Sequence, residues 1–215
     1  MRIVAEIRET GIIPENAIEA EEKRYYSPEE YLELETAAEY KSEYYNGKII
    51  PMTGGTPEHN QIAGNLYTAM NIDFKGQPYQ VFINDLRLWI PQKRIYTYPD
   101  VMVVAGQLEL AEGRRDTITN PVMIAEVLSK STEDYDRGGK FKLYRSIPTL
   151  KEYVLIAQYE KHVEQFSKID DNKWVLSEYD GDNAVLALSF APFQITLGDI
   201  YDRVEFEPEE ESNNV

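Results

Sequence analysis

Two short apolar stretches that each carry one carboxylate constrain the fold of this chain more than any other feature. Residues 101–105 and 122–128 are almost continuously hydrophobic, which is typical of central strands covered on both faces. Asp100 directly precedes the first stretch, and Glu126 lies inside the second. Because burying an unpaired carboxylate is costly, each acid needs a partner, a metal ion or the mouth of an active site. Their separation of 26 residues suits neighbouring strands, and antiparallel pairing would bring both carboxylates to one edge of the sheet.

The segment after Glu126 is expected to supply a cation to these acids. Asp136, Lys140 and Tyr144 are spaced at i, i+4 and i+8, so a helix would place them on one face. Two carboxylates at a sheet edge suit Mg²⁺ or Mn²⁺, which prefer oxygen ligands and retain several waters. We therefore predict that Asp100 and Glu126 bind a metal ion. Lys140 is predicted to stabilise charge on a phosphate.

Local signals predict the elements of the N-terminal half. Ser27-Pro28 should begin a helix that runs to about Ala38, because serine caps and proline opens helices. Asn46-Gly47 between two β-prone runs predicts a hairpin. Thr56-Pro57 should begin a second helix. Two further strands, 79–83 and 86–90, are separated by Asn84-Asp85, which predicts either a turn or a bulge within one longer strand.

The C-terminal half is predicted to alternate in the same way. A polar link over 106–120 separates the two central strands, and Ser131 or Thr132 should cap a helix that runs to about Arg145. Apolar or alternating runs predict later strands at 153–157, 163–168, 174–179 and 184–188, and 193–195 is expected to be a segment that covers the core. This order predicts an α/β fold with a three-layer core, in which helices flank a central mixed β-sheet.

Length and composition bound the domain organisation. We expect one domain over residues 25–203, an N-terminal extension over 1–24 and an acidic tail over 204–215. The absence of cysteine excludes disulfides and thiolate metal sites. The sequence contains neither a signal-peptide pattern nor an apolar run long enough to cross a membrane, so we expect a cytoplasmic protein.

The formal net charge of −16 opposes nucleic-acid binding, because duplex affinity comes largely from neutralised phosphates. Nine glutamates near the two ends contribute to this charge: Glu15, Glu19, Glu21, Glu22, Glu205, Glu207, Glu209, Glu210 and Glu211. A charge of about −7 remains without them. Any DNA binding would therefore depend on a local basic surface.

Several motifs in a fixed order resemble a known family. They are Glu43–Ile49, Met52–Thr56 followed by His59, Tyr98–Val101, Glu126–Ser129, Asp136–Phe141 with Tyr144-Arg145, and Glu152–Leu155. Together they resemble the Uma-two family of restriction-endonuclease-like proteins in the PD-(D/E)XK nuclease superfamily, from about Tyr25 to Tyr201. The resemblance implies a restriction-endonuclease-like core and DNA as the substrate.

The resemblance also implies roles for individual residues. Asp100 and Glu126 would be the acidic metal ligands of the superfamily signature. The signature lysine should follow the acid by two residues, but Leu128 occupies that position. The resemblance therefore implies a lysine that has migrated to the following helix, Lys140, with Lys130 as the rival.

Four further residues are candidates for supporting roles. Glu43 is either a third acid of the site or an exposed strand residue, and His59 is either a phosphate or metal contact or a surface histidine. Asp85 either supports the site or pairs with Arg87. Tyr144 is expected beside the metal ligands because it shares a helical face with Lys140.

These features favour a metal-dependent endonuclease that hydrolyses DNA phosphodiester bonds. A water oriented by the metal on Asp100 and Glu126 would attack the phosphate while Lys140 stabilises the developing charge. Two alternatives remain: a non-catalytic interaction module that keeps the fold, and a hydrolase of a small phosphorylated substrate. A homodimer is compatible with cutting both strands of a duplex.

Overall fold

A six-stranded mixed sheet organises the computed structural model, which describes residues 24–130 and 133–206. The helices are α1 (Pro28–Ala37), α2 (Pro57–Asp73), α3 (Phe141–Tyr144) and α4 (Leu197–Ile200), with a π-helical segment at Tyr135–Lys140 and a 3₁₀ turn at Pro91–Lys93. The strands are β1 (Ser42–Tyr45), β2 (Lys48–Pro51), β3 (Tyr79–Ile83), β4 (Arg87–Ile90), β5 (Ile95–Thr97), β6 (Val101–Ala105), β7 (Thr117–Ile118), β8 (Met123–Leu128), β9 (Glu152–Ala157), β10 (His162–Asp170), β11 (Lys173–Asp180), β12 (Val185–Ala187) and β13 (Gln194–Thr196).

The six-stranded sheet has the order β11-β10-β9-β8-β6-β3. Strands β8 and β9 are parallel, and the other neighbours are antiparallel. All six residues of β8 are buried, as the continuous apolar pattern predicted. Strands β6 and β8 are therefore adjacent, central and antiparallel.

Different structures cover the two faces of this sheet. One face packs on α2 through Ile62, Leu66 and Met70, and the C-terminal segment including α4 completes that layer. The opposite face contacts α3 and a second, five-stranded sheet of order β2-β1-β5-β4-β7. Because successive strand residues point to opposite faces, Met102 and Ile124 face the α3 side.

The second sheet decides between the two readings of Asn84-Asp85. Strand β3 belongs to the large sheet and β4 to the small one. These residues therefore form a turn between sheets, with Asn84 at a φ of 55°. The polar link after β6 also contributes β7, a strand that its composition did not predict and that pairs in parallel with β4.

The helix after β8 differs from the regular helix that we predicted. Residues Tyr135–Lys140 form a π-helical segment that leads directly into α3. The predicted caps Ser131 and Thr132 lie outside the described residues. A π segment is wider than an α-helix and is frequent at functional sites.

The chain ends are described only in part. Residues 1–23 and 207–215, which include most of the predicted extension and acidic tail, lie outside the described residues. Val204 and Phe206 are described and pack against the core under α2. Within the described ranges, no helix combines the length and apolar character needed to cross a membrane.

Replacing Gly47 with alanine is expected to destabilise the fold by about 1–3 kcal/mol. Gly47 has a φ of 100°, and an added Cβ would lie 2.7 Å from the Tyr25 ring. Gly64 is the matched control because it lies inside α2 with nothing within 4 Å of an added Cβ, so Gly64→Ala should stabilise by about 0.5–1 kcal/mol. Urea unfolding of both variants measures the difference, and equal effects would contradict this reading of the hairpin.

Candidate active site

The antiparallel register of β6 and β8 brings Asp100 and Glu126 together. Val101 pairs with Ala125, and one further step sets Asp100 opposite Glu126 on the same face of the sheet. The Val127 backbone N–H donates a 2.8 Å hydrogen bond to Asp100 Oδ2. The carboxylate of Asp100 is therefore oriented by the strand that carries Glu126.

Glu126 is held by two side chains of the following helical segment. Its Oε1 accepts a 2.7 Å hydrogen bond from the Tyr144 hydroxyl and lies 3.2 Å from Lys140 Nζ. Burial raises the pKa of Glu126 to about 8, because desolvation outweighs the opposing effect of Lys140.

Lys140 also contacts a second buried acid. Its Nζ lies 3.0 Å from Asp136 Oδ1, and the side chain of Asp136 is only 3% exposed. Burial alone would lower the pKa of Lys140, but Glu126, Glu43 and Asp136 together hold that pKa well above its usual value. Lys140 therefore remains charged while it neutralises more than one carboxylate.

His59 reaches the same edge of the sheet from the first turn of α2. Its Nε2 lies 3.2 Å from Asp100 Oδ2, and Thr56 caps this helix by accepting the His59 backbone N–H at 3.2 Å. Burial alone would lower the pKa of His59, but the hydrogen bond and charge of Asp100 raise it overall. A protonated imidazole would partly neutralise Asp100.

Glu43 approaches the site from β1. It accepts a hydrogen bond of 2.9 Å from the Tyr45 hydroxyl and another from the Thr97 hydroxyl. Burial lowers the pKa of Lys140, whereas the charge of Glu126 and, after it, the charge of Glu43 raise it. The structure therefore brings Glu43 close enough to act on the cluster electrostatically.

The four carboxylates of Glu43, Asp100, Glu126 and Asp136 form what we call the acidic cluster. Among the described residues, Lys140 and His59 make the ion pairs with it. Above a pH of about 8, where Glu126 is ionised, four negative charges face one lysine and one titratable histidine and leave an excess of negative charge. An additional cation would compensate this excess.

The sequence of this domain matches a known family model. The model, Uma2, is described as "Putative restriction endonuclease" and matches residues 28–198. The chain belongs to the Uma2 family. The family resemblance predicted from the motifs is thus confirmed, and the match includes every residue of the acidic cluster.

Relatives of this Uma2 protein are found in Synechocystis sp. "Uncharacterized protein sll1609" is 42% identical over 161 residues, which cover 75% of this chain and 91% of that protein. "Uncharacterized protein slr1290" is 37% identical over 171 residues, which cover 77% of this chain and 88% of that protein.

A solved structure shares the fold of this Uma2 protein. It is the crystal structure of "a putative nuclease belonging to DUF820" from Anabaena variabilis, with a TM-score of 0.66 at 19% identity. The similarity covers 82% of this chain and 98% of that chain. The predicted α/β fold, a central mixed sheet in a nuclease-like domain, is confirmed.

The two candidate lysines of this Uma2 domain have different surroundings. Lys140 contacts Glu126, whereas Lys130 is exposed and lies 4.8 Å from the centre of the Tyr159 ring. Arg137, a third cation in the segment after β8, binds Glu164 at 2.7 Å. Only Lys140 of these three lies against the acidic cluster.

The structure does not bring Asp85 to the cluster. The Asp85 side chain is 83% exposed and pairs with Lys41 rather than with Arg87. Arg87 instead donates to the Tyr98 hydroxyl at 2.8 Å. The turn between the two sheets explains this, because it directs Asp85 outwards.

One contributor to the site, Asp136, was not predicted as a site residue. Asp136 was placed on the correct helical face, but its sequence neighbours gave no sign that its side chain is buried. Gln158 follows β9 and donates a 2.8 Å hydrogen bond to Thr56 Oγ1, while its buried Oε1 has no hydrogen-bond partner among the described residues. The available signal for Asp136 was its i, i+4 spacing with Lys140.

Proposed function

We propose that this protein is a divalent-metal-dependent endonuclease that hydrolyses DNA phosphodiester bonds. The observation that carries the proposal is the pair of carboxylates, Asp100 and Glu126, set opposite each other on central strands with Lys140 in contact. The nuclease-like fold and the family description support the same reaction class.

The donor chemistry fits Mg²⁺ or Mn²⁺. Asp100 and Glu126 offer carboxylate oxygens as ligands. Within the described ranges, no three acids or histidines converge to form a complete metal cage. A pair of carboxylates that leaves other positions to water and phosphate suits Mg²⁺, which usually keeps several waters.

Neighbouring groups orient the two proposed metal ligands. The Val127 N–H and His59 orient Asp100, and Tyr144 holds one oxygen of Glu126. Lys140 provides a buried positive charge beside the place where a phosphate would develop negative charge. When bound, the ion supplies Lewis-acid activation of water and phosphate.

A hydrolase of a small phosphorylated substrate is the second candidate, and the net charge of −16 favours it. A small substrate needs no extended basic groove, whereas a duplex does. Parallel assays on duplex DNA, single-stranded DNA and a phosphodiester of one nucleotide separate the two candidates.

Calorimetric titration with Mg²⁺ at several pH values tests the metal site. Because burial holds the pKa of Glu126 at about 8, the ion has to displace a proton at lower pH. We expect the apparent affinity to weaken by up to about tenfold per pH unit below pH 8. In Glu126→Gln, measurable binding should be lost. Binding that is equally tight at every pH, or in this variant, would contradict the assignment of Glu126 as a ligand.

A further inference from the structure

We propose that the ring of Tyr135 is a stacking platform for an unpaired nucleotide of the substrate, beside the acidic cluster. This inference rests on the proposed function for its substrate class, because it specifies which form of nucleic acid the site accepts. Tyr135 is 41% exposed, although it begins the π-helical segment that also carries Asp136 and Lys140.

A glycine in the π-helical segment leaves space for the Tyr135 ring. A Cβ on Gly139 would lie 2.4 Å from the carbon atoms Cδ2 and Cε2 of Tyr135, so only glycine lets the ring lie against the helix. Two consecutive glycines, Gly138 and Gly139, weaken a helix by about 1 kcal/mol each relative to alanine. The two glycines therefore make the helical segment less stable, but the missing Cβ of Gly139 leaves room for the Tyr135 ring.

The ring is also fixed from the side and lies at the site. Tyr135 and Tyr45 make an edge contact with ring centres 5.9 Å apart, and the Tyr45 hydroxyl donates to Glu43 of the acidic cluster. Burial is the largest cause that raises the pKa of Tyr135, and a hydrogen bond with Tyr45 opposes it. The charges of Glu43 and Asp136 raise this pKa and that of Lys140 lowers it, which places the hydroxyl near the acidic cluster. A ring held between Gly139 and Tyr45 is still 41% exposed and can offer its exposed part to a base.

A second exposed aromatic lies at the same edge of the large sheet. Leu128 pairs with Ala157 at the parallel ends of β8 and β9, and Lys130 and Tyr159 follow these ends by two residues each. Tyr159 is 45% exposed, and Lys130 Nζ lies 4.8 Å from its ring centre. An aromatic ring with an adjacent cation suits a nucleotide, which presents a flat base and an anionic phosphate.

The charge of the protein favours an unpaired over a paired substrate. A duplex gains most of its affinity from many phosphate contacts, which a chain with a net charge of −16 opposes. Stacking of a base on an aromatic ring contributes about 1–3 kcal/mol and needs no extended basic surface. A base inside a duplex has its faces covered, so Tyr135 can stack only on an unpaired one.

Binding of a short single-stranded oligonucleotide that contains 2-aminopurine, in Ca²⁺ buffer, tests this inference. The wild-type protein should quench the fluorescent base and bind the single strand more tightly than the matching duplex. Tyr135→Ala should weaken single-strand binding roughly five- to a hundredfold and remove the quenching. Tyr135→Phe should bind within about twofold of wild type, because its ring still stacks.

Two variants control for folding and for general aromatic exposure. Gly139→Ala keeps the tyrosine but displaces its ring, and should weaken binding while circular dichroism remains native. Tyr40 is 79% exposed and has no ring contact with the described aromatics, so Tyr40→Ala should bind as wild type. DNA and RNA single strands in parallel show which backbone the platform accepts.

The possible results separate this inference from the proposed function. Unchanged single-strand binding by Tyr135→Ala, in a protein that still cleaves DNA, would overturn the platform and leave the nuclease intact. Quenching that depends on Tyr135, in a protein that never cleaves, would support the platform and refute the nuclease. Equal losses for duplex and single strand in Tyr135→Ala would overturn the preference for an unpaired nucleotide.

Discussion

Replacing Glu126 with glutamine is expected to reduce metal-dependent cleavage at least about a hundredfold while leaving the fold intact. Glutamine removes the negative charge but keeps an oxygen that can accept from Tyr144, as Glu126 Oε1 does at 2.7 Å. Burial raises the pKa of Glu126 to about 8, so the metal-free protein already favours a neutral side chain near neutral pH. Glutamine resembles that neutral form, so the fold should be kept. The loss of cleavage should therefore come from weaker metal binding.

Asp100→Asn should have the same effect, because its remaining carbonyl can still accept the Val127 N–H. Asp85→Asn is the matched control, since Asp85 is an exposed acid that pairs with Lys41 away from the cluster. Cleavage rates with Mg²⁺ and thermal melting of all three variants give the comparison. Cleavage at the wild-type rate by folded Glu126→Gln or Asp100→Asn would refute the proposed site.

The central pair of strands could be predicted because its signals are local. A carboxylate within a buried apolar strand is rare enough to indicate a site, and the register needed only antiparallel pairing of neighbours. Observed pairing of Val101 with Ala125 sets Asp100 and Glu126 face to face. Hairpins and helix starts, such as Asn46-Gly47 and Ser27, were predictable for the same reason.

Features that depend on distant parts of the chain could not be predicted. Asp85 points outwards because β3 and β4 belong to different sheets, and no pattern within residues 79–90 encodes that division. Strand β7 exists through its parallel pairing with β4, since its two residues have no strand pattern of their own. The π-helical segment likewise arises from packing, because spacing alone does not separate it from an α-helix.

The choice between the two lysines shows how distance in sequence can mislead. Lys130 is four residues from Glu126, and Lys140 is fourteen residues away. The π-helical segment returns the chain over the sheet, so the more distant lysine contacts Glu126 at 3.2 Å. We expect Lys130→Met to retain more cleavage than Lys140→Met, since the Lys130 side chain lies over Tyr159 rather than against Glu126.

Replacing Lys140 with methionine should destabilise the metal-free protein by about 3–5 kcal/mol at pH 9. The substitution leaves Glu126 and Asp136 buried without the ammonium group that lies 3.2 and 3.0 Å from them. The unpaired acids can escape this cost only by taking up protons. Removal of Lys140 raises the pKa of Glu126 further, so the folded form binds protons more strongly than the unfolded chain, and stability falls as the pH rises. Because Glu126 of the wild type itself has a pKa of about 8, the loss should grow above that pH and be smaller at pH 5 than at pH 9.

Denaturant unfolding at both pH values measures this loss, with Lys41→Met as the matched control. Lys41 pairs with Asp85 at the surface, where the two side chains are 44% and 83% exposed, so its replacement should cost about 0–1 kcal/mol at either pH. Mg²⁺ should restore part of the stability of Lys140→Met, because an ion bound by the folded state alone opposes unfolding. If the two lysine variants lose the same small amount at both pH values, the buried carboxylates do not depend on Lys140, and its place in the site has to be abandoned.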